Sequence, residues 1–193
     1  IVLKQYAELV EHADGTVADA RCPEAVNLIE RYNEERNLSI QVADIEPILI
    51  HCARELSARA DLANGEKIIT TPCRILAEQG NALELPHTRF VSWKDFFSEL
   101  GESLEPAPEA SPIPPGFFTG LSVPVVSLSG REDIEDYLEE RSRTSEGESE
   151  DRMMSGTAGS QNIGAVIADA GRKPLLLELL YCPKGCHMGD GVR

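Results

Sequence analysis

Pro174-Leu175-Leu176-Leu177-Glu178-Leu179-Leu180 is an apolar run broken by one carboxylate, and it closes at Tyr181-Cys182-Pro183-Lys184-Gly185-Cys186. A run of this length between proline and a proline–glycine turn reads as a strand. Working outward, Lys67-Ile68-Ile69-Thr70-Thr71 is a β-branched run that stops at Pro72-Cys73. Thr88-Arg89-Phe90-Val91 and Val123-Pro124-Val125-Val126-Ser127-Leu128 are further strands. Helical patterns lie between them. Val2, Tyr6, Leu9 and Val10 share one face, and the polar break Asp14-Gly15-Thr16 ends that segment. Ala25, Val26, Leu28, Ile29 and Tyr32 recur at helical spacing behind Cys22-Pro23, which puts Pro23 at the first helical position and Cys22 at the N-cap. Pro47 opens another helix with Ile48, Cys52, Leu56 and Ala60 four apart, and Cys52 reads as a core residue. Ser92 caps a helix from Trp93, with Asp95 three residues on. Arg131 to Arg143 is an acidic helix buried through Ile134, Tyr137 and Leu138, its carboxylates forming a solvated face. Strands alternating with helices predict an α/β fold, a single domain over 1–193 built of largely parallel sheet lobes flanked by helices.

The chain has 193 residues, 18 basic against 33 acidic, for a net charge of −15. Such a chain repels phosphate backbones, so nucleic-acid binding is not expected. A 41% hydrophobic and 26% charged composition describes a soluble globular protein. No run of about 18 apolar residues would span a membrane, and the amphipathic start at Ile1 is no signal peptide, so a cytoplasmic protein is expected. An initial Ile rather than Met suggests a fragment or processed form. Residues 1–100 carry −7, residues 101–160 carry −9, and residues 161–193 carry +1. The acidic middle contains a Pro-rich loop at 102–116, read as an extended surface segment, and a polar stretch at 144–161, read as a mobile insertion. Ala165-Val166-Ile167-Ala168 fits strand and helix equally.

The five cysteines, Cys22, Cys52, Cys73, Cys182 and Cys186, are odd in number and widely spaced, which argues against a secreted disulfide framework. Cys22 begins a helix, while Cys73 and Cys182 each follow a strand. In α/β sheets the ligand crevice lies at the carboxyl ends of the strands, so these segments have reason to converge. A helix N-terminus also lowers a thiol pKa and favours the thiolate a metal needs. Thiolates from several loops suit an iron–sulfur cluster or a closed zinc site, and buried structural thiols are the plain alternative.

The order and context of four of these cysteines resemble the iron-only ([FeFe]) hydrogenase large-subunit family. Arg21-Cys22-Pro23 with the helix to Tyr32 resembles its first cysteine motif, and Ile45-Glu46-Pro47 its next segment. Thr71-Pro72-Cys73 resembles the second motif. Leu176-Leu177-Glu178-Leu179-Leu180-Tyr181-Cys182-Pro183-Lys184-Gly185-Cys186 resembles the third, a strand with a glutamate leading to C-x₂-G-C. Ser129 to Ile134 and the helix after it also match an element of the family. The likeness covers most of residues 5–190, without the family's front portion. It implies that Cys22, Cys73, Cys182 and Cys186 hold a [4Fe–4S] cluster, with Cys186 as the candidate bridge to a two-iron subcluster.

Departures from the family narrow what the resemblance implies. Arg21 stands where active members carry a proton-relay cysteine, and Leu76 where they carry a lysine that anchors the subcluster. Thr71 and Leu180 replace methionines, and Lys184 replaces a glycine. The expectation is therefore a hydrogenase-like iron–sulfur protein of electron transfer or of redox or H₂ sensing, typical of anaerobic metabolism. Its partner would be a redox protein or an N-terminal ferredoxin-type domain outside this chain. The alternatives are an active hydrogenase with an altered proton path, and a cofactor-free or zinc-binding interaction domain. His187, next to Cys186, reads as a surface or turn histidine. Met188-Gly189-Asp190-Gly191 resembles the family's glycine-rich tail and lacks the Lys-Ser/Thr of a phosphate loop.

Overall fold

A computed structural model describes residues 2–111, 115–146 and 175–193. Residues 165–168, and 147–161 of the polar stretch, lie outside them. The order is α1 (Val2–Glu11), β1 (Thr16–Ala18), α2 (Pro23–Arg36), β2 (Gln41–Val42), α3 (Ile48–Ala58), β3 (Lys67–Thr71), α4 (Arg74–Asn81), β4 (Thr88–Ser92), α5 (Trp93–Glu99), β5 (Val125–Ser129), α6 (Arg131–Glu146) and β6 (Leu175–Leu180). Short 3₁₀ turns lie at Ala60–Leu62 and Cys186–Met188. The strands form a four-stranded sheet, order β2-β1-β6-β5, and a two-stranded sheet, β3-β4. Every pairing is parallel, so the expected α/β class is the one observed.

All six residues of β6 are buried, as a strand covered on both faces must be. Its period of two divides the core. Leu175, Leu177 and Leu179 face α2 and α6, packing with Ile29, Ile134 and Leu138. Leu176 faces the other way, against Tyr6 and Val10 of α1, Val17 and Phe118. Helix α6 buries Ile134, Tyr137 and Leu138, as its spacing predicts, and it runs on through residues 144–146, which were expected in the insertion. Pro23 occupies the start of α2 with Cys22 as N-cap. Ser92 caps α5, its hydroxyl accepting from Asp95 N–H at 3.1 Å.

Three expectations need correction. Strands β1 and β2 escaped the sequence reading because three and two residues are too short to show alternation. Helix α4, with Cys73 at its N-cap position, was also missed; it is short, and no capping hydrogen bond of the kind Ser92 makes announces its start. In α3 the buried face is Ile50 and Ala53, packed with Leu76, Ala77 and Phe90, and Cys52 is exposed rather than core. At 100° per residue Cys52 points away from the Ile50–Ala53 ridge, so a four-residue spacing alone chose the wrong stripe.

The segment after β6 joins the two sheets. Gly191 N–H donates to Pro72 O at 3.2 Å, Lys94 N–H to Gly191 O at 2.8 Å, and Arg74 N–H to Asp190 Oδ1 at 3.1 Å. Glycine is required here by close approach: a Cβ on Gly191 would lie 2.9 Å from Cys73 N, and one on Gly189 would lie 2.4 Å from Pro72 O. Both obstacles are backbone, which cannot swing aside. Gly191→Ala is therefore expected to cost about 1–3 kcal/mol, the usual range for overpacking. Urea unfolding measures it against Gly15→Ala, where the added methyl group meets open space and the midpoint stays put.

Candidate functional site

Cys22 and Cys73 occupy the N-cap positions of α2 and α4, and Cys182 and Cys186 lie in the turn after β6. That turn is tight because Gly185 takes φ +122°. Lys184 takes φ +63°, a left-handed conformation that costs a non-glycine residue about 1–2 kcal/mol. A glycine would fit that position better, and nothing in the structure explains the lysine there. Thr71, fully buried, donates its hydroxyl to Cys73 O at 2.8 Å and holds that corner against the end of β3.

The four thiols are electrostatic neighbours. Charge on Cys22 raises the pKa of Cys73, Cys182 and Cys186, and Cys186 does the same to Cys73 and Cys182. Burial is the larger effect at each. It pushes Cys73 up to about 12 and Cys182 up to about 11, with Asp190 adding to both. Cys22 and Cys186 are also raised by burial; N–H groups of Tyr181, Ala25 and Glu24 oppose this at Cys22, and Arg21 opposes it at Cys186. The expectation that helix N-termini would lower the two N-cap thiols is thus overturned, because desolvation outweighs the helix field. Among the described residues, no three of His, Cys, Asp and Glu stand close enough together to hold one metal ion.

A buried ionic network adjoins the thiols. Glu178 is fully buried in β6 and accepts four groups of bonds: Ser127 Oγ at 2.5 Å, Phe117 N–H at 2.7 Å, Gly116 N–H at 2.8 Å and Arg21 Nη2 at 2.8 Å. Burial raises its pKa, but these bonds outweigh that and leave it below the usual carboxylate value. Asp19, equally buried, accepts from Arg21 Nη2 at 3.0 Å, Arg21 N–H at 2.9 Å and Leu179 N–H at 2.9 Å. Its desolvation is the largest effect and holds its pKa up despite Arg21. The Arg21 guanidinium stands 4.8 Å and 4.5 Å from the ring centroids of Phe117 and Phe118.

Arg21, Leu76 and Cys186 line one cavity of about 440 Å³, together with His187, Trp93 and Leu180. The two positions where the sequence departs most sharply from the resembled family therefore share a wall with its candidate bridging cysteine. Part of the Pro-rich loop closes the same space: Leu104 and Pro108 line it, and Arg193 Nη2 donates to Pro108 O at 3.0 Å. The loop is a wall here, more than a surface strap. His187 is buried at 7% exposure rather than at the surface. Sequence reasoning missed Asp19 and the cavity. A lone carboxylate in a turn carries no signal until its arginine partner is known, and a cavity joins residues from every part of the chain. Compared with protein-family models, with curated proteins and with solved structures, the chain matches none.

The raised thiols have a measurable consequence. At pH 8 and free of metal, iodoacetamide is expected to modify exposed Cys52 first, with Cys22, Cys73, Cys182 and Cys186 at least about tenfold slower. The slow rates should keep rising to pH 10 without a plateau, followed by peptide mass mapping. These thiols ionise more readily in the unfolded chain, so metal-free stability falls as pH rises above about 8.5. Equal labelling of all five at pH 8 would contradict the half-buried arrangement of these four.

Proposed function

We propose that this chain is a hydrogenase-like iron–sulfur protein that holds a [4Fe–4S] cluster on Cys22, Cys73, Cys182 and Cys186 and serves electron transfer or redox or H₂ sensing. One observation carries the reading: three sequence-distant segments that bear the thiols meet, with Cys22 Sγ accepting at 3.5 Å from Tyr181 N–H, beside Cys182, and the chain after Cys186 packing Gly189 and Gly191 onto Pro72 and Cys73. Their chemistry suits soft, thiophilic iron. Zinc on the same thiolates is the alternative, and metal analysis tells the two apart.

When bound, the cluster supplies a one-electron site. The chain's own residues then desolvate the thiolates and donate to them, as Tyr181 N–H does to Cys22 Sγ at 3.5 Å. A two-iron subcluster does not fit the same residues. Beside Cys186, Leu76 offers no donor to anchor it, and Arg21 is locked to Asp19 and Glu178 where a proton relay is needed. Electrons would pass to a redox partner protein or a ferredoxin-type domain.

Anaerobic purification with iron, sulfide and zinc analysis and EPR tests the reading. About four iron and four sulfide per chain are expected, and Cys182→Ser should remove the cluster signal. A zinc-only or metal-free protein whose four thiols titrate freely would overturn it. After maturation the infrared spectrum should lack carbonyl and cyanide stretches; their presence would restore the hydrogenase alternative.

A further inference from the structure

The cavity bordered by Arg21, Leu76 and Cys186 has walls that keep it open. Pro47, Pro72 and Pro108 belong to three separate segments of its lining, and the locked φ of proline stiffens each of them against collapse into the space. Ile48, Leu49, Leu76, Phe97, Leu180 and Val192 make the lining largely apolar. Its volume of about 440 Å³ lies in the range of small-molecule sites.

Helix α5 shows that one wall lacks a partner. None of its seven residues is buried, yet two of its aromatic rings, Trp93 and Phe97, line the cavity. The rings lie 6.0 Å apart at 47°, and Trp93 stays 39% exposed. Aromatic side chains ordinarily dominate the burial of the element that carries them; here the space they border is what remains to be filled. Hydrogen bonds hold the surrounding walls in place. Lys94 N–H donates to Gly191 O at 2.8 Å and ties α5 to the C-terminal segment. Arg193 Nη2 donates to Pro108 O at 3.0 Å and ties down the loop that supplies Leu104.

Charge and volume then select the occupant. Arg21 is the one permanently charged side chain on the lining. It is held by Asp19 at 3.0 Å and Glu178 at 2.8 Å, with 7% of its side chain exposed. One positive charge stands against two carboxylates, so no free cation is left to receive an anion, and a desolvated anion without a partner is costly. An apolar cavity of about 150 Å³ takes up benzene, and this one, at about 440 Å³, is about three times larger.

We propose that this cavity binds a neutral, apolar molecule of two or three rings. The occupant is held by contact with the rings of Trp93 and Phe97 and by burial against the aliphatic walls, and it needs no hydrogen bond from the protein. The site stands independently of the cluster reading, because no thiol takes part in holding the molecule.

A matched pair of probes tests it on the anaerobically purified full chain: neutral N-phenyl-1-naphthylamine, and 8-anilinonaphthalene-1-sulfonate, which adds a sulfonate to the same rings. Binding is read as quenching of Trp93, the chain's single tryptophan, and by equilibrium dialysis. The neutral probe should saturate at one per chain and bind at least about tenfold tighter than the sulfonate. Phe97→Ala, in a helix with no buried residue, should weaken it about fivefold. Leu104→Ser, on the loop wall, should weaken it in the same direction. Leu3→Ser, on an exposed apolar residue of α1 outside the lining, should leave it unchanged. No saturable binding of the neutral probe, equal or tighter binding of the sulfonate, or unaltered affinity in both Phe97→Ala and Leu104→Ser would overturn the proposal. Iron and sulfide content of the same sample separates failure here from failure of the cluster reading.

Discussion

A carboxylate in the middle of a fully buried strand is the constraint around which this protein is arranged. Glu178 is sealed from bulk solvent, so its acceptor directions are met by the chain. Four donors come from three places: Ser127 on the neighbouring strand, two backbone N–H groups at 116–117, and Arg21 before α2. Meeting that requirement fixes the loop that carries Phe117 and Phe118 and the turn that carries Cys22. Asp19 extends the same logic where β1 leaves the sheet. Its own N–H still pairs with Leu177 O at 2.9 Å, and its side chain then takes the Leu179 N–H. A side-chain oxygen thus replaces the backbone carbonyl that a longer strand would have offered. Removing one partner from such a set usually costs about 3–5 kcal/mol, since the remaining charge stays buried.

The second sheet is brought to this network by backbone proximity, with the Asp190 side chain adding one bond. The C-terminal segment presses Gly189 and Gly191 against Pro72 and Cys73 with no room for a side chain. Cys73 therefore approaches the other thiols through a contact between main chains, which position atoms more narrowly than flexible side chains do. Site geometry and the packing of the two sheets are one feature, not two.

The parts legible in the sequence were those that a local pattern specifies. The N-caps at Cys22 and Ser92, the three-residue core stripe of α6 and the apolar run of β6 each follow from periodicity or a cap within one element. The parts that were not legible depend on long-range pairing. Strands β1 and β2 exist because β6 offers them an edge, and their own residues are too few to announce it. Cys52 was misread because spacing of four leaves the choice of face to the tertiary contacts. The thiol pKa values went the opposite way to the local argument because burial, a property of the whole fold, exceeded the field of a helix end. His187 shows the same limit: a histidine in a glycine-rich turn gives no local sign that it is buried.

Placing cysteine rather than serine or aspartate at two helix starts has an effect beyond ligation. A protonated thiol is a poor acceptor, and neither Cys22 nor Cys73 makes a capping hydrogen bond, although the N–H groups of Glu24, Ala25 and Leu76 are directed toward the sulfurs. A thiolate accepts far better. Deprotonation or ligation therefore completes the opening turns of α2 and α4, so the backbone order of two helices follows the chemical state of their first sulfur.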